Sequence, residues 1–141
     1  MNVGIIGLGY WGPNLVRNFL GNSEIKTVYG CDMNPARLNF MESRFPSIKL
    51  TSKAEELLES KEIDIIVVST PVRFHYELTK KALENGKHVW VEKPFTSTSK
   101  EAEELIKIAE KKKLNIFVDH TFIYTGAVKK IKELVDKKVL G

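Results

Sequence analysis

Residues 3–12 read VGIIGLGYWG, and this stretch decides the fold. The apolar run that opens it is short, rich in β-branched residues and without polar alternation, which is typical of a parallel strand buried on both faces. Gly7 then suits a tight turn, Gly9 a close approach of the backbone to a pyrophosphate, and Gly12 the packing of a following helix on the strand. The sequence therefore predicts a dinucleotide-binding turn, with an ordinary glycine-rich turn between strand and helix as the alternative.

The second predicted strand, residues 26–31, ends at Asp32, about 20 residues beyond the glycine turn. An acidic side chain there would accept hydrogen bonds from the adenosine ribose and repel the additional phosphate of NADP. Because Asn34 and Pro35 can cap the next helix by themselves, we expect the Asp32 carboxylate to be free. NAD is therefore favoured, although Arg37 could accommodate the extra phosphate of NADP. The alternative is that Asp32 only starts a turn.

Composition limits the class of protein. The chain has 141 residues, of which 43% are hydrophobic and 28% charged, and this fits one globular domain with a single core. No apolar run approaches the ~18 residues that cross a membrane, and the first strand begins beside Met1, so we expect a cytoplasmic protein without membrane contact. The net charge of +4 comes from lysines on polar helix faces, which indicates a solvated surface rather than a nucleic-acid site. The lone cysteine, Cys31, lies in an apolar strand, and no metal-ligand cluster is evident.

Strands and helices alternate along the whole chain, which predicts an α/β fold with a doubly wound parallel sheet, the NAD(P)-binding Rossmann fold, as one domain over residues 1–141. Capping boxes are expected at Ser52 with Glu55 and at Thr98 with Glu101. The predicted strands are residues 3–6, 26–31, 48–50, 63–69, 88–91 and 115–118. The better defined helices are residues 14–20, 74–83 and 126–138. A further helix follows Thr98 and places Ala102, Leu105, Ile106 and Ala109 on one face.

Ligands of such a sheet bind at the carboxyl ends of its strands, so the loops there are candidates. Thr70-Pro71 follows the fourth strand, where Pro71 suits either an apolar wall against a flat ring or a helix entry. His75 lies in the first turn of the next helix and is either a cofactor contact or a surface or capping histidine. Glu92-Lys93-Pro94 follows the fifth strand, where an exposed ion pair of little energetic value is the alternative to a functional role.

Together the glycine loop, Thr70-Pro71, His75 and residues 88–94 (HVWVEKP) resemble the Gfo/Idh/MocA family, named after glucose-fructose oxidoreductase, inositol dehydrogenase and MocA. The resemblance covers the whole chain. It implies that Lys93 binds or protonates the substrate oxygen beside the nicotinamide, that Glu92 lies on the nicotinamide side, and that Pro94 sets the turn, often through a cis bond. It also implies hydride transfer between NAD and a secondary alcohol of a sugar, nucleotide sugar or cyclic polyol. The cofactor-binding candidates are Gly7, Gly9, Tyr10, Trp11, Gly12, Asp32, Thr70, Pro71, His75, Glu92, Lys93 and Pro94, and Lys93 is also the catalytic candidate.

The sequence departs from the family pattern after the sixth strand. Members often carry an arginine and then a proline there, and Ile123 and Gly126 stand at our best estimate of those places. Asp119 and His120 end the strand and are candidate substrate groups, with a histidine packed at the domain edge as the alternative for His120.

The family's second, mainly β domain, with its Asp-x-x-x-His motif, has no counterpart in this sequence. We therefore expect the cofactor-binding half of a dehydrogenase, inactive by itself, which meets a sugar or polyol through the missing domain, with assembly into a homo-oligomer left open. Apolar groups among residues 122–124 should then be exposed. The alternative is a non-catalytic module of the same fold that senses a nucleotide or binds a partner.

Overall fold

The computed structural model describes residues 1–139, so Leu140 and Gly141, the last residues of the predicted domain, lie outside the described part. Six parallel strands form one sheet in the order β3-β2-β1-β4-β5-β6, which confirms the doubly wound fold. In chain order the elements are β1 (Asn2–Ile6), α1 (Gly12–Leu20), β2 (Thr27–Cys31), α2 (Pro35–Arg44), β3 (Lys49–Thr51), α3 (Ala54–Glu59), β4 (Ile65–Val68), α4 (His75–Glu84), β5 (His88–Glu92), α5 (Ser99–Lys112), β6 (Ile116–Asp119) and α6 (Gly126–Asp136), with 3₁₀ turns at Val72–Phe74 and Thr121–Tyr124.

The two central strands, β1 and β4, are covered on both faces of the sheet. Ile5 of β1 is in register with Gly30 of β2 on one side and Val67 of β4 on the other, and all three are buried. Helices α1 and α2 cover one face, and α3, α4 and α5 cover the other. The strand order reverses between β1 and β4, and loops diverging at such a point leave a crevice for a ligand.

The last helix, α6, packs mainly against the 3₁₀ turn Thr121–Tyr124 rather than against the sheet. Its apolar residues Ile131 and Val135 are more than half exposed. The turn itself exposes Phe122 by 73%, and Ile123 and Tyr124 by more than half, as the sequence predicted.

The start of α3 differs from the sequence prediction. Ser52 does not cap α3, which begins at Ala54 with no side-chain cap. The Thr51 hydroxyl instead connects the end of β3 to the start of α3: it accepts from the Lys53 N–H at 3.1 Å and donates to the Glu56 carboxylate at 2.6 Å. The prediction was wrong because α3 begins at Ala54, so Lys53 rather than Ser52 occupies the position directly before the helix.

The capping box at the start of α5 is confirmed. Thr98 Oγ1 accepts from the Glu101 N–H at 3.3 Å, and the Glu101 carboxylate accepts from the Thr98 N–H at 3.0 Å. The buried stripe of this helix is formed by Leu105 and Ala109, whereas Ile106 is 46% exposed, so the predicted face was too wide.

Candidate cofactor-binding site

A cavity of about 1000 Å³ lies at the carboxyl ends of the strands, across the point where the strand order reverses. This volume is at the upper end of the ~300–1,000 Å³ that is usual for ligand pockets. The lining residues come from the loops after β1, β2, β3, β4, β5 and β6, so all six strands direct their carboxyl ends at one space.

The glycine turn forms the floor of the cavity. Gly7 has φ +98°, and a Cβ there would lie 2.4 Å from the Ser69 carbonyl oxygen, so the turn requires glycine. A Cβ on Gly9 would meet only the Arg37 guanidinium, at 3.6 Å or more, and would otherwise project into the cavity. A Cβ on Gly12 would lie 3.2 Å from the Gly7 carbonyl oxygen, which fits a role in close packing of α1 on the turn.

Helix α1 begins directly after this turn, at Gly12, and Trp11 gives it no side-chain cap. Pro13 has no N–H and the Asn14 N–H donates to the Trp11 carbonyl oxygen at 3.0 Å, so this uncapped turn offers a phosphate the Gly12 N–H and the positive end of the helix dipole. Tyr10 and Trp11 line the entrance with their rings stacked 6.0 Å apart, and Tyr10 is 93% exposed.

The Asp32 carboxylate is not free, which corrects the expectation from the sequence. It is 8% exposed and accepts from the Leu8 N–H at 2.8 Å, the Asn34 N–H at 2.9 Å and Arg37 Nη1 at 3.1 Å. Burial opposes ionisation, but the N–H donors of Asn34 and Leu8 and the Arg37 guanidinium outweigh it, so the pKa of Asp32 lies below its usual value. The cavity wall therefore carries a paired carboxylate, with the Arg37 side chain half exposed above it.

His75 lies behind the cavity rather than in its lining. It is 1% exposed, with Nε2 2.8 Å from the Thr70 carbonyl oxygen and Nδ1 2.9 Å from the Pro94 carbonyl oxygen. Because a neutral imidazole carries one N–H, it donates to one of these oxygens only, while a doubly protonated ring donates to both. In either form His75 links the loop after β4 to the loop after β5.

Two residues at the ends of neighbouring strands, Thr70 after β4 and Glu92 at the end of β5, each contain an unpartnered polar atom. Thr70 Oγ1 and Glu92 Oε1 are buried and have no hydrogen-bond partner within the described residues, and both residues line the cavity with Pro71 and Lys93. The Lys93-Pro94 peptide bond is cis. Since an unsatisfied buried polar atom costs about 1–3 kcal/mol, these oxygens fit the edge of a polar ligand group, and the residues present fit a nicotinamide dinucleotide.

Asp119 lies next to Glu92 on the neighbouring strand, in register with it, and is 6% exposed. Burial, and then the charge of Asp119, raise the pKa of Glu92 to about 7 against the opposing influence of Lys93. His120, the other candidate at this strand end, is exposed.

A family model described as an oxidoreductase family with an NAD-binding Rossmann fold, GFO_IDH_MocA, matches residues 1–120. The chain belongs to the Gfo/Idh/MocA family. This confirms the resemblance drawn from the sequence, and it makes the chain an NAD(P)-binding Rossmann unit of an oxidoreductase family.

The relatives that this chain matches are longer proteins. It is 40% identical over 97 residues to an uncharacterised oxidoreductase of Schizosaccharomyces pombe, covering 69% of this chain and 26% of the relative. It is 30% identical to the scyllo-inositol 2-dehydrogenase (NADP⁺) of Bacillus subtilis, covering 97% of this chain and 38% of that enzyme. The Synechocystis biliverdin reductase, solved with biliverdin and NADP⁺, superimposes with a TM-score of 0.89 at 25% identity, over 96% of this chain and 43% of the reductase. The chain thus spans well under half the length of these relatives.

Most of the predicted site residues line the cavity of this family member, but Gly12, His75 and Pro94 lie behind it. Sequence reasoning missed the part of the lining that comes from the loop after β3 and from α3 and α4. The spacing of Phe74, Leu78 and Lys81 gives a helical face that could have revealed it. The lining residues not singled out as site candidates include Met33, Ser52, Ala54, Glu55, Phe74, Glu77, Leu78, Lys81, Thr121 and Phe122.

Residues 1–139 contain neither a cluster of metal-ligating side chains nor a helix able to cross a membrane. No group of three or more histidine, cysteine, aspartate or glutamate side chains in this part of the chain could hold a metal ion. None of its helices has the length and apolarity needed to span a membrane.

Proposed function

We propose that this chain is the cofactor-binding half of a dehydrogenase that moves a hydride between a nicotinamide and a secondary alcohol of a sugar, nucleotide sugar or cyclic polyol. The observation that carries the proposal is the large cavity at the reversal of strand order, with the glycine turn at one side and Glu92-Lys93 at the other. The scyllo-inositol dehydrogenase among the relatives supports the substrate class.

Each part of the cavity has a group suited to one part of the cofactor. Gly9 and the uncapped start of α1 would hold the pyrophosphate, and Asp32 the adenosine ribose. Thr70 Oγ1 and Glu92 Oε1, which have no partner among the described residues, would bind polar edges at the nicotinamide end. The cofactor, when bound, supplies the hydride donor or acceptor.

Lys93 is the residue that we assign to the substrate oxygen. It lines the cavity at the carboxyl end of β5, beside Glu92, and its ammonium group can donate a hydrogen bond to an oxygen that gains negative charge. It would therefore orient the substrate and stabilise charge on its oxygen, while a further base takes the hydroxyl proton.

NAD is the cofactor that we propose as preferred over NADP. An ionised Asp32 at the ribose position disfavours an added phosphate. The opposing group is Arg37, whose guanidinium is half exposed and pairs with that carboxylate. The choice between NAD and NADP would thus depend on whether Asp32 binds the ribose or Arg37 binds the additional phosphate.

The remaining parts of the proposal concern the whole protein. A second domain would contribute the base and most contacts to the sugar or polyol. Association into a homo-oligomer is compatible with the exposed apolar residues of α6, Ile131 and Val135. The single cysteine, Cys31, is a buried free thiol, which agrees with a reducing compartment such as the cytoplasm.

Calorimetric titration of the 141-residue chain with NAD⁺, NADH, NADP⁺ and a duplex oligonucleotide tests the proposal. We expect saturable binding of the dinucleotides, tightest for NAD, together with a change in the fluorescence of Trp11, which lines the cavity. Tyr10→Ala removes the highly exposed ring that stacks on Trp11, so it should alter this fluorescence change if the signal arises at the glycine loop. A chain that binds none of the dinucleotides would contradict the proposal.

A further inference from the structure

Two acidic residues are paired on adjacent strands beside the end of the cavity that we assign to the nicotinamide. Glu92 and Asp119 are directly paired in register on the adjacent strands β5 and β6. Asp119 is 6% exposed, and Glu92 Oε1 is buried with no partner among the described residues. Two carboxylates that share a poorly hydrated site do not both ionise easily, because like charges repel and neither is solvated.

One proton between the two groups relieves this repulsion. The negative charge of Asp119 acts on the neighbouring Glu92 carboxyl group and favours its protonated form, so a proton held by the pair is stabilised. Glu92 faces the cavity, whereas Asp119 lies behind it. Protonation or deprotonation of this pair therefore changes the charge next to any ligand group that contacts Glu92.

The ring of NAD⁺ carries a positive charge and the ring of NADH does not. We propose that Glu92 and Asp119 form a proton-sharing pair that distinguishes the oxidised from the reduced cofactor: binding of NAD⁺ expels the shared proton, and binding of NADH retains it. This inference rests on the proposed function, since it needs the nicotinamide at the carboxyl end of β5. It makes Glu92 a determinant of the redox state that the site prefers.

The charged neighbours of the pair support a transition near neutral pH. Burial and Asp119 raise the pKa of Glu92 to about 7, while the adjacent Lys93 opposes them. The end of β4 presents Ser69 and Thr70, which carry no charge. The two nearest histidines are His75, which faces the carbonyl oxygens of Thr70 and Pro94, and the exposed His120.

The sign of the effect follows from linkage. Below about pH 7 the pair holds its proton, so NAD⁺ must expel it and binds weakly; above that pH the pair is ionised and NAD⁺ binds at full strength. An opposite charge nearby commonly lowers a carboxyl pKa by about 1–3 units, so we expect the affinity for NAD⁺ to rise about tenfold between about pH 6 and pH 8. The affinity for NADH should change less than about twofold.

The experiment measures the affinities of the 141-residue chain for NAD⁺ and NADH at several pH values, and the protons released near pH 6.5 in buffers of different ionisation enthalpy. Glu92→Gln should bind NAD⁺ with an affinity that no longer depends on pH, and Asp119→Asn should move the dependence to lower pH. Glu110→Gln, which removes an exposed carboxylate near the C-terminal end of α5, should keep the behaviour of the unchanged chain.

A ¹³C carboxyl titration of the chain without ligand reports on the pair separately from binding. A Glu92 signal that changes near pH 7, and at lower pH once NAD⁺ is added, supports the proposal. A Glu92 signal that changes only near pH 4, or equal pH dependence for NAD⁺ and NADH, overturns it. Failure of the proposed function is distinct from this, because the chain would then bind neither cofactor while Glu92 still titrated near pH 7.

Discussion

Arg37 Nη1 lies 3.1 Å from Asp32 Oδ2, and the same guanidinium lies above Gly9, within 3.8 Å of where a Cβ would stand. The pair therefore occupies the wall between the predicted ribose and pyrophosphate positions. The Leu8 and Asn34 N–H groups hold the carboxylate in place, so Arg37 is the partner that can move. Its movement would expose Asp32 to the ribose of NAD or offer a cation to the phosphate of NADP.

The first prediction concerns cofactor choice. Asp32→Ala should erase most of the preference for NAD, because a hydrogen bond to a charged group contributes about 1.5–3 kcal/mol. Arg37→Ala should weaken NADP binding more than NAD binding. Calorimetry measures the affinity of each variant and of the unchanged chain for NAD and for NADP. Arg44→Ala, at the far end of α2, is the matched control. Equal affinities of the unchanged chain for NAD and NADP would contradict the prediction.

The second prediction separates the glycines of the turn. Gly9→Val should abolish dinucleotide binding and leave the melting temperature nearly unchanged, since its side chain would enter the cavity rather than the core. Gly7→Ala should instead destabilise the fold, on the order of 1–3 kcal/mol or more, because its Cβ would collide with the Ser69 carbonyl at a left-handed φ.

Gly126→Val is the control for these variants. Gly126 begins α6, and a Cβ there meets nothing within 4 Å. This variant should keep both cofactor affinity and stability. Normal NAD binding by Gly9→Val would show that the turn does not approach the pyrophosphate.

The sequence was sufficient for the sheet and the glycine turn because both depend on local pattern. Buried parallel strands are continuous apolar runs, and Gly7 needs a backbone conformation that other residues avoid. The orientations of Asp32 and His75 depend on partners far along the chain: Asp32 is held by the Leu8 N–H 24 positions away, and His75 faces Pro94 19 positions away. The spacing of residues along the sequence does not reveal such contacts, which is why the Asp32 carboxylate was expected to be free.

The third prediction concerns His75 as the link between the loops after β4 and β5. His75→Phe keeps an aromatic ring, larger than the imidazole, but removes the hydrogen-bonding partner of the Thr70 and Pro94 carbonyl oxygens. This loss costs about 1–3 kcal/mol for each group that stays unsatisfied. The free energy of unfolding should fall accordingly, and the affinity for NAD should fall with it, because Thr70 lines the cavity. Denaturant titration and calorimetry measure the two effects.

His75→Asn and His120→Phe complete that test. The asparagine amide would retain a hydrogen-bond donor and recover part of the cofactor affinity, whereas the exposed His120 can be replaced without loss. If His75→Phe binds NAD as tightly as His120→Phe, then the histidine does not position the cofactor loops.

The last prediction concerns Lys93 and the reaction itself. The 141-residue chain should bind cofactor without oxidising sugars or polyols, since proton transfer by a positioned base alone typically contributes about 10²–10⁴ in rate and the proposed base lies in another domain. A longer protein that joins residues 1–141 to the remaining portion of a relative should form NADH with a sugar or polyol. In it, Lys93→Ala should reduce kcat far more than NAD affinity, because Lys93 is assigned to the substrate oxygen. Lys113→Ala, on the exposed end of α5, should retain full activity. Turnover by residues 1–141 alone would instead direct the search for a base to Asp119 and His120 at the end of β6.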